Sequence, residues 1–235
     1  MKFRHHNVKL GDGTRTSKLQ PMEDRSSVKQ AVSLLQDHLD SGDSILDLGC
    51  LEGGYSVEIA RAMPQSSVTG VEVRKQSFDL CCRLPARCRT PNLEFINEDA
   101  LDTTRTADGV FCGGLLYHLE NPVSFLYRLK RMANKFVVIN THYSVKFGPQ
   151  FHKLSELSEH EESQGRWYTE YPDDASFRDR ENYPLSAWDN RRSFWLLRDE
   201  ITSKMKSIGF SNIDTHGVAI DRTGYNRTTI TARTN

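Results

Sequence analysis

Three carboxylates stand at the ends of three short apolar runs. Asp47 lies in Ile45-Leu46-Asp47-Leu48, Glu72 follows Val68-Thr69-Gly70-Val71, and Asp99 follows Leu93-Glu94-Phe95-Ile96. A carboxylate can accept hydrogen bonds from both hydroxyls of a ribose, so acids at successive strand ends suit a nucleoside. Gly49, Gly53 and Gly54 follow the first acid, where a flat ligand must approach the backbone or the chain must take positive φ. The distance from that turn to Glu72 is close to the ~20 residues at which an acid meets the ribose hydroxyls in a Rossmann-like unit. Two histidines add acid–base chemistry. His118 follows Tyr117 after a fourth apolar run, and His142 ends a fifth. An ordinary imidazole titrates near ~6.5, so either could take a proton at neutral pH, orient a ligand, or simply pack.

The elements that must position these groups follow a βα alternation. Ile45, Leu46 and Leu48 form a buried strand ending at Gly49, and Tyr55, Val57, Ile59, Ala60 and Met63 mark a helix stopped by Pro64. Upstream, Asp24 or Ser26 is expected to cap a helix running to about Leu39. A second strand covers 68–73, a helix 76–89, a third strand 93–99, a fourth 108–114, a helix 123–132 after Asn121-Pro122, and a fifth strand 135–142. Arg198 to Ile208 then reads as a helix stopped at Gly209, and two strands, 212–220 and 225–232, flank Asp-Arg-Thr-Gly. This pattern predicts an α/β fold with a parallel, doubly wound sheet and a ligand at the carboxyl ends of its strands.

The spacing Asp47-x-Gly49-x-x-x-Gly53, with Glu72, Asp99 and the 108–114 strand, resembles the class I S-adenosylmethionine-dependent methyltransferases. The middle glycine often found in that loop is Leu51 here. Within the class, His-Asn-Val-Lys-Leu-Gly-Asp-Gly-Thr-Arg-Thr near the amino end and Gly114-Leu-Leu-Tyr-His118 look like segments of the group related to the bacterial tRNA wobble-uridine carboxymethyltransferase. The resemblance implies a Rossmann-like, seven-stranded sheet closed by an antiparallel carboxy-terminal hairpin. It implies S-adenosyl-L-methionine as cofactor and S-adenosyl-L-homocysteine as product. Cofactor contacts are then expected from Asp47, Gly49, Leu51, Gly53, Glu72, Val73, Asp99, Ala100, Gly113, Gly114 and Leu115. Catalytic candidates are His118, His142 and Tyr117, next to the reactive methyl, and Tyr143, Trp167 and Tyr168 are candidates for an acceptor pocket.

Domain organisation is read as an arm at 1–25 and a methyltransferase domain at 26–235. In the related group the arm lies over the cofactor; the alternative is a floppy terminus, with His5 and His6 as a surface pair. From about 144 to 195 the alternation stops. That insert holds ten aromatic residues, and 151–181 carries nine acids against four bases. It is read as a substrate lid, with an interaction or dimer surface as the competitor. Arg74, Lys75, Arg83, Arg87 and Arg89 form the clearest basic cluster, either a solvated helix face or a phosphate contact.

Bulk properties narrow the function. The 235 residues fit one domain with insertions, and 31 basic against 31 acidic side chains give no net charge. A protein gripping a phosphate backbone usually shows a basic excess, so nucleic acid is disfavoured as a partner though not excluded. No apolar run approaches the ~20 residues of a membrane span, and the start lacks an apolar signal region, so a cytoplasmic location is expected. Five cysteines without a Cys-x-x-Cys pair argue against a disulfide framework or metal site. Three readings stand: a small-molecule methyltransferase, acting on oxygen in specialised (natural-product) metabolism; a tRNA-modifying enzyme using a carboxylated donor; and a catalytically silent cofactor-binding scaffold. A homodimer stays open.

Overall fold

In a computed structural model the described residues are 2–147, 153–176, 180, 183, 185–220 and 226–234, with backbone only at 218–220. Phe151, Phe177 and the expected turn at 221–224 lie outside them.

Seven strands form one sheet in the order β3-β2-β1-β4-β5-β10-β9. They are β1 (Ile45–Leu48), β2 (Val68–Val71), β3 (Leu93–Ile96), β4 (Ala107–Gly113), β5 (Ala133–His142), β9 (Ser211–Ile220) and β10 (Asn226–Arg233). β1 pairs in parallel with both β2 and β4, and β10 pairs antiparallel with β9. The chain runs outward from β1 to β3 and then returns to β4 on the other side, which makes the carboxyl end of β1 a topological switch point. This is the Rossmann-like, doubly wound fold with an antiparallel carboxy-terminal pair.

By packing, the chain divides into two units: Met1–Phe111 with Ala133–Val138, and Cys112–Met132 with Ile139–Asn235. In the first unit, α1 (Ser26–His38) and α2 (Gly54–Ala62) bury Val28, Leu35, Val57 and Ile59 against Ile45, Val68, Phe111 and Phe136. Helical spacing of these apolar residues is what selects the buried faces. Phe3, Val8 and Leu10 of the arm belong to the same core, so the arm is packed and not a floppy end. Its turn forms as expected, with the Gly13 N–H donating to Leu10 and the Thr14 N–H to Asp12 Oδ1.

Two local expectations need correction. The helix expected over 76–89 is broken into α3 (Lys75–Cys81) and α4 (Leu84–Cys88). Pro85 sits in the first turn of α4, where its missing N–H is tolerated; within a continuous helix it would clash with the preceding turn. At α1 the residue in the capping position is Arg25, and no side chain caps that end.

In the second unit, α5 (Pro122–Met132) and α6 (Arg198–Ile208) pack against each other, and Gly209 closes α6 in a left-handed conformation. The described part of the insert has regular structure of its own. It contains a three-stranded antiparallel sheet, β6 (Ser158–His160), β7 (Ser163–Thr169) and β8 (Arg192–Leu196), in the order β6-β7-β8. Arg166, nearly buried, donates to the carbonyls of Val145, Lys146 and Ser155 and ties the neighbouring loops to β7. Among the described residues no helix is long and apolar enough to cross a membrane, and no cluster of His, Cys, Asp or Glu is arranged to hold a metal.

Candidate active site

The glycine loop between β1 and α2 is held in an unusual backbone. Gly49, Leu51 and Gly53 have φ of 69°, 54° and 72°. At Gly53 a Cβ would also come within 2.7 Å of the Phe95 ring, so this glycine makes room for protein packing. Gly54 likewise faces the His6 ring and Met22. The space a side chain would take at these two glycines is thus filled by Phe95, Leu84, His6 and Met22.

Glu72 sits just past β2, 3% exposed. Its Oε2 accepts the Leu51 N–H at 2.9 Å and its Oε1 accepts the Arg74 N–H at 2.7 Å. One carboxylate thus fixes the strained residue of the loop and the start of the next helix. Each oxygen keeps a second lone pair, which is what two ribose hydroxyls would need. Burial pushes the Glu72 carboxyl up to about 7, against the opposing pull of its hydrogen bonds. Asp47, 2% exposed, accepts the Ser56 hydroxyl at 2.6 Å and is also raised to about 7 by burial. Asp99 lies three residues beyond β3, in a turn where its Oδ1 accepts the Leu101 N–H at 2.8 Å, and Ala100 beside it is buried. Asn97 binds the carbonyls of Glu72 and Val73 through its amide, locking together the ends of β2 and β3. Asp47, Glu72, Val73, Asp99 and the loop therefore gather at the carboxyl ends of three adjacent strands. The fit to a nucleoside cofactor rests on Glu72, a buried carboxylate with acceptor capacity left over.

Sequence reading missed what braces this loop. Glu52 accepts three successive backbone N–H groups of the arm: Arg4 on Oε1 at 2.8 Å, and His5 and His6 on Oε2 at 2.9 and 2.8 Å. His6, 6% exposed, returns the contact by accepting the Gly54 N–H on Nδ1 at 2.9 Å, so its ring caps α2. Burial lowers its pKa to about 3, with Arg25 and His5 adding to the effect, which keeps the ring neutral and able to accept. His6 is thus a buried cap, not one of a surface pair. The acid three residues past Gly49 was the available signal. A shallow groove lined by Ser44, Leu46, Thr69, Arg105 and Ala107 lies at the opposite, amino ends of the strands and offers no comparable chemistry.

In the second unit, β4 ends at Gly113, and Gly114 (φ 79°) and Leu115 lead into a helical turn over Leu116–His118. The Gly114 N–H donates to Asn140, and the His118 N–H to Leu115. His118 Nδ1 lies 2.9 Å from Glu170 Oε1. Glu170, whose side chain is fully buried, also accepts the Ser193 hydroxyl at 2.7 Å and the Ala187 N–H at 3.0 Å. Being an acceptor on all counts, Glu170 fixes Nδ1 as the protonated nitrogen and leaves Nε2 as the basic one. Glu170 was legible only as one of nine acids in the insert.

The alternation of β7 and β8 sorts the aromatic candidates. Tyr168, Ser193 and Trp195 share one face, with the Tyr168 and Trp195 rings 5.4 Å apart. Trp195 stands 5.4 Å from Tyr117 and 5.3 Å from His142, and Tyr117 is 4.1 Å from His118 and 4.5 Å from His142. Tyr117, His118, His142, Tyr168 and Trp195 thus form one aromatic wall. Trp167 points to the other face, packed on Phe194 and His160 with the Arg192 guanidinium 4.0 Å from its ring. Tyr143 is buried; desolvation raises its pKa, countered by Arg198. His142 Nδ1 bonds the Asn226 carbonyl at 3.2 Å.

Comparison with known proteins places the chain in a family. A family model described as a methyltransferase domain matches residues 39–184, more than half of the chain. Pavine N-methyltransferase of Thalictrum flavum subsp. glaucum is 30% identical over 138 residues, 55% of this chain and 35% of that protein. A tRNA (guanine-N(7)-)-methyltransferase of Shewanella piezotolerans is 32% identical over 73 residues, 31% of each chain. The chain thus spans about a third of the length of these curated relatives. Among solved structures, the N-terminal domain of EvdMO1, determined in the presence of SAH and D-fucose, superposes with a TM-score of 0.71 at 20% identity, covering 94% of this chain and 88% of that one. The 1,6-didemethyltoxoflavin-N1-methyltransferase of Burkholderia thailandensis, with SAH and its substrate bound, gives 0.60 at 16% identity over 90% and 79%. At these identities the solved structures show a shared fold.

Proposed function

The chain belongs to that methyltransferase domain family, and from this premise we propose that it transfers a methyl group from S-adenosyl-L-methionine to an oxygen of a small-molecule acceptor. The donor supplies an activated methyl on a positively charged sulfur, and the protein's own task is to position the partners and remove the acceptor's proton. Glu72 would take the ribose hydroxyls, with Asp99 and Ala100 near the adenine and Asp47, Gly49, Leu51, Gly53 and Val73 around the remainder; the backbone of Gly113, Gly114 and Leu115 stays a candidate from the sequence. His118 would accept the hydroxyl proton on Nε2 while Glu170 holds Nδ1–H and stabilises the imidazolium that forms. Tyr117, His142, Tyr168 and Trp195 would supply an apolar aromatic wall for the acceptor.

The His118–Glu170–Ser193 chain carries this reading, because a buried carboxylate spent on orienting one histidine is the arrangement a general base needs. The pavine and 1,6-didemethyltoxoflavin N-methyltransferases support a small-molecule acceptor, and a structural neighbour from Nostoc punctiforme described as a putative O-methyltransferase supports the choice of oxygen. Transfer to RNA is the second reading, favoured by the two Shewanella tRNA methyltransferases, whose matches span 31% and 34% of this chain. The acid-rich insert opposes it.

The test is turnover of labelled S-adenosyl-L-methionine with a panel of hydroxylated small molecules and with bulk tRNA. His118→Asn should lower kcat by roughly 10²–10⁴, and Glu170→Gln should lower kcat and shift the pH profile while sparing cofactor affinity. Methylation of tRNA alone would replace this reading with the second, and cofactor binding without turnover on any acceptor would leave a scaffold.

A further inference from the structure

Resting on the methyltransferase reading, we propose that the acceptor carries an acidic group, a carboxylate on a planar or aromatic body, and that Arg227 is the residue that reads it.

Arg227 lies on β10 beside Asn140 of β5. Its Nε donates to Asn140 Oδ1 at 2.6 Å, and the Asn140 amide in turn donates to Thr229 Oγ1 at 2.8 Å. Asn140 is 8% exposed and Thr229 3%, so the guanidinium is oriented from behind by a buried pair. The terminal nitrogens are thereby aimed along a fixed direction. One of them reaches the space above Gly114: at the point a Cβ would occupy there, Arg227 Nη2 is 3.7 Å away and Tyr117 Oη 3.8 Å. Among the described residues other than the adjoining Gly113 and Leu115, no further heavy atom lies within 4 Å of that point. Just past β4, Gly114 therefore has a fixed cation and a phenol close beside its Cα.

The chemistry of such a spot is selective. A guanidinium has donors only, and a phenol can donate, so the matching ligand is an acceptor with negative charge. The two atoms are no farther apart than the sum of those two distances. A carboxylate, making a hydrogen bond of about 2.8 Å to each side, is wide enough to bridge them. Among the described residues no carboxylate comes within ion-pair distance of Arg227. Tyr117 also belongs to the wall of Tyr117, His142 and Trp195, so an acid held here would have its planar body against rings and the His118 base within the same group of side chains.

The probes are hydroxybenzoates and hydroxycinnamates, each paired with its carboxamide, titrated into protein saturated with S-adenosyl-L-homocysteine. The acid of at least one pair should bind roughly tenfold or more tightly than its amide, and Arg227→Gln should erase that difference while S-adenosyl-L-homocysteine still binds. Arg227→Lys, which keeps the charge but not the fork, should recover part of it. If no acid is preferred over its amide in wild type, or if the preference survives in Arg227→Gln, the proposal is overturned. Two other charge sources are read in the same series. Loss of S-adenosyl-L-homocysteine affinity in Arg227→Gln would assign the cation to the cofactor's own carboxylate. A wild-type preference for carboxy-S-adenosyl-L-methionine that vanishes in the variant would assign it to a carboxylated donor; each overturns the acceptor assignment. Failure of S-adenosyl-L-homocysteine to bind wild type would instead overturn the methyltransferase reading itself.

Discussion

Glu72 holds Leu51 and Arg74 by their backbone N–H groups and has capacity left for two more donors. Losing hydrogen bonds to a charged group costs about 1.5–3 kcal/mol each, so Glu72→Gln should weaken S-adenosyl-L-homocysteine binding roughly 10- to 100-fold. The same residue predicts a pH dependence. Its carboxyl is raised to about 7, and in the proposed role the ionised form would accept both ribose hydroxyls, so affinity should rise as pH increases from about 6 to about 8. Calorimetry across that range checks it: a flat profile in wild type contradicts the role, and Glu72→Gln should flatten a slope that is present. The acids Asp47, Glu72 and Asp99 and the base candidate His118 were readable from strand-end position alone. Glu170 and Arg227 were not, because what distinguishes them is burial and a partner dozens of residues away.

At the scale of elements, the glycine loop is the most demanding piece. Gly53 combines a left-handed φ with a Phe95 ring in the place of a Cβ, so Gly53→Ala should cost roughly 2–4 kcal/mol, seen as a lowered Tm. An unchanged Tm would show that Phe95 moves aside freely. The βα alternation was legible because period and length separate buried strands from amphipathic helices, and β1 to β5 with α1, α2, α5 and α6 fall close to where the pattern puts them. The break at Pro85 was legible in principle. The β6-β7-β8 sheet was not, since its short strands carry mixed charge and aromatic residues whose pairing is set by tertiary packing. Its alternation separates Trp167 from Tyr168, so Tyr168→Ala should affect acceptor KM more than Trp167→Ala, whose effect should fall on stability; the reverse order would move the acceptor to the other face.

Across the whole molecule, the amino-terminal arm and the buried acids link stability to the cofactor site. Glu52→Ala would leave three arm N–H groups without their acceptor and should cost about 2–4 kcal/mol. An acid whose folded pKa is raised to about 7 binds more protons folded than unfolded between about 4 and 7. Its contribution to stability is therefore lost as pH rises through that window and constant above it. Cofactor-free wild type should lose Tm relative to Glu72→Gln between about pH 5 and pH 8, while bound cofactor should offset the loss. The most direct measurement is calorimetric titration of wild type and Glu72→Ala with S-adenosyl-L-homocysteine at pH 8. Micromolar binding that Glu72→Ala weakens at least tenfold is the result this account predicts. Absence of binding by wild type, or equal binding by both proteins, would contradict it.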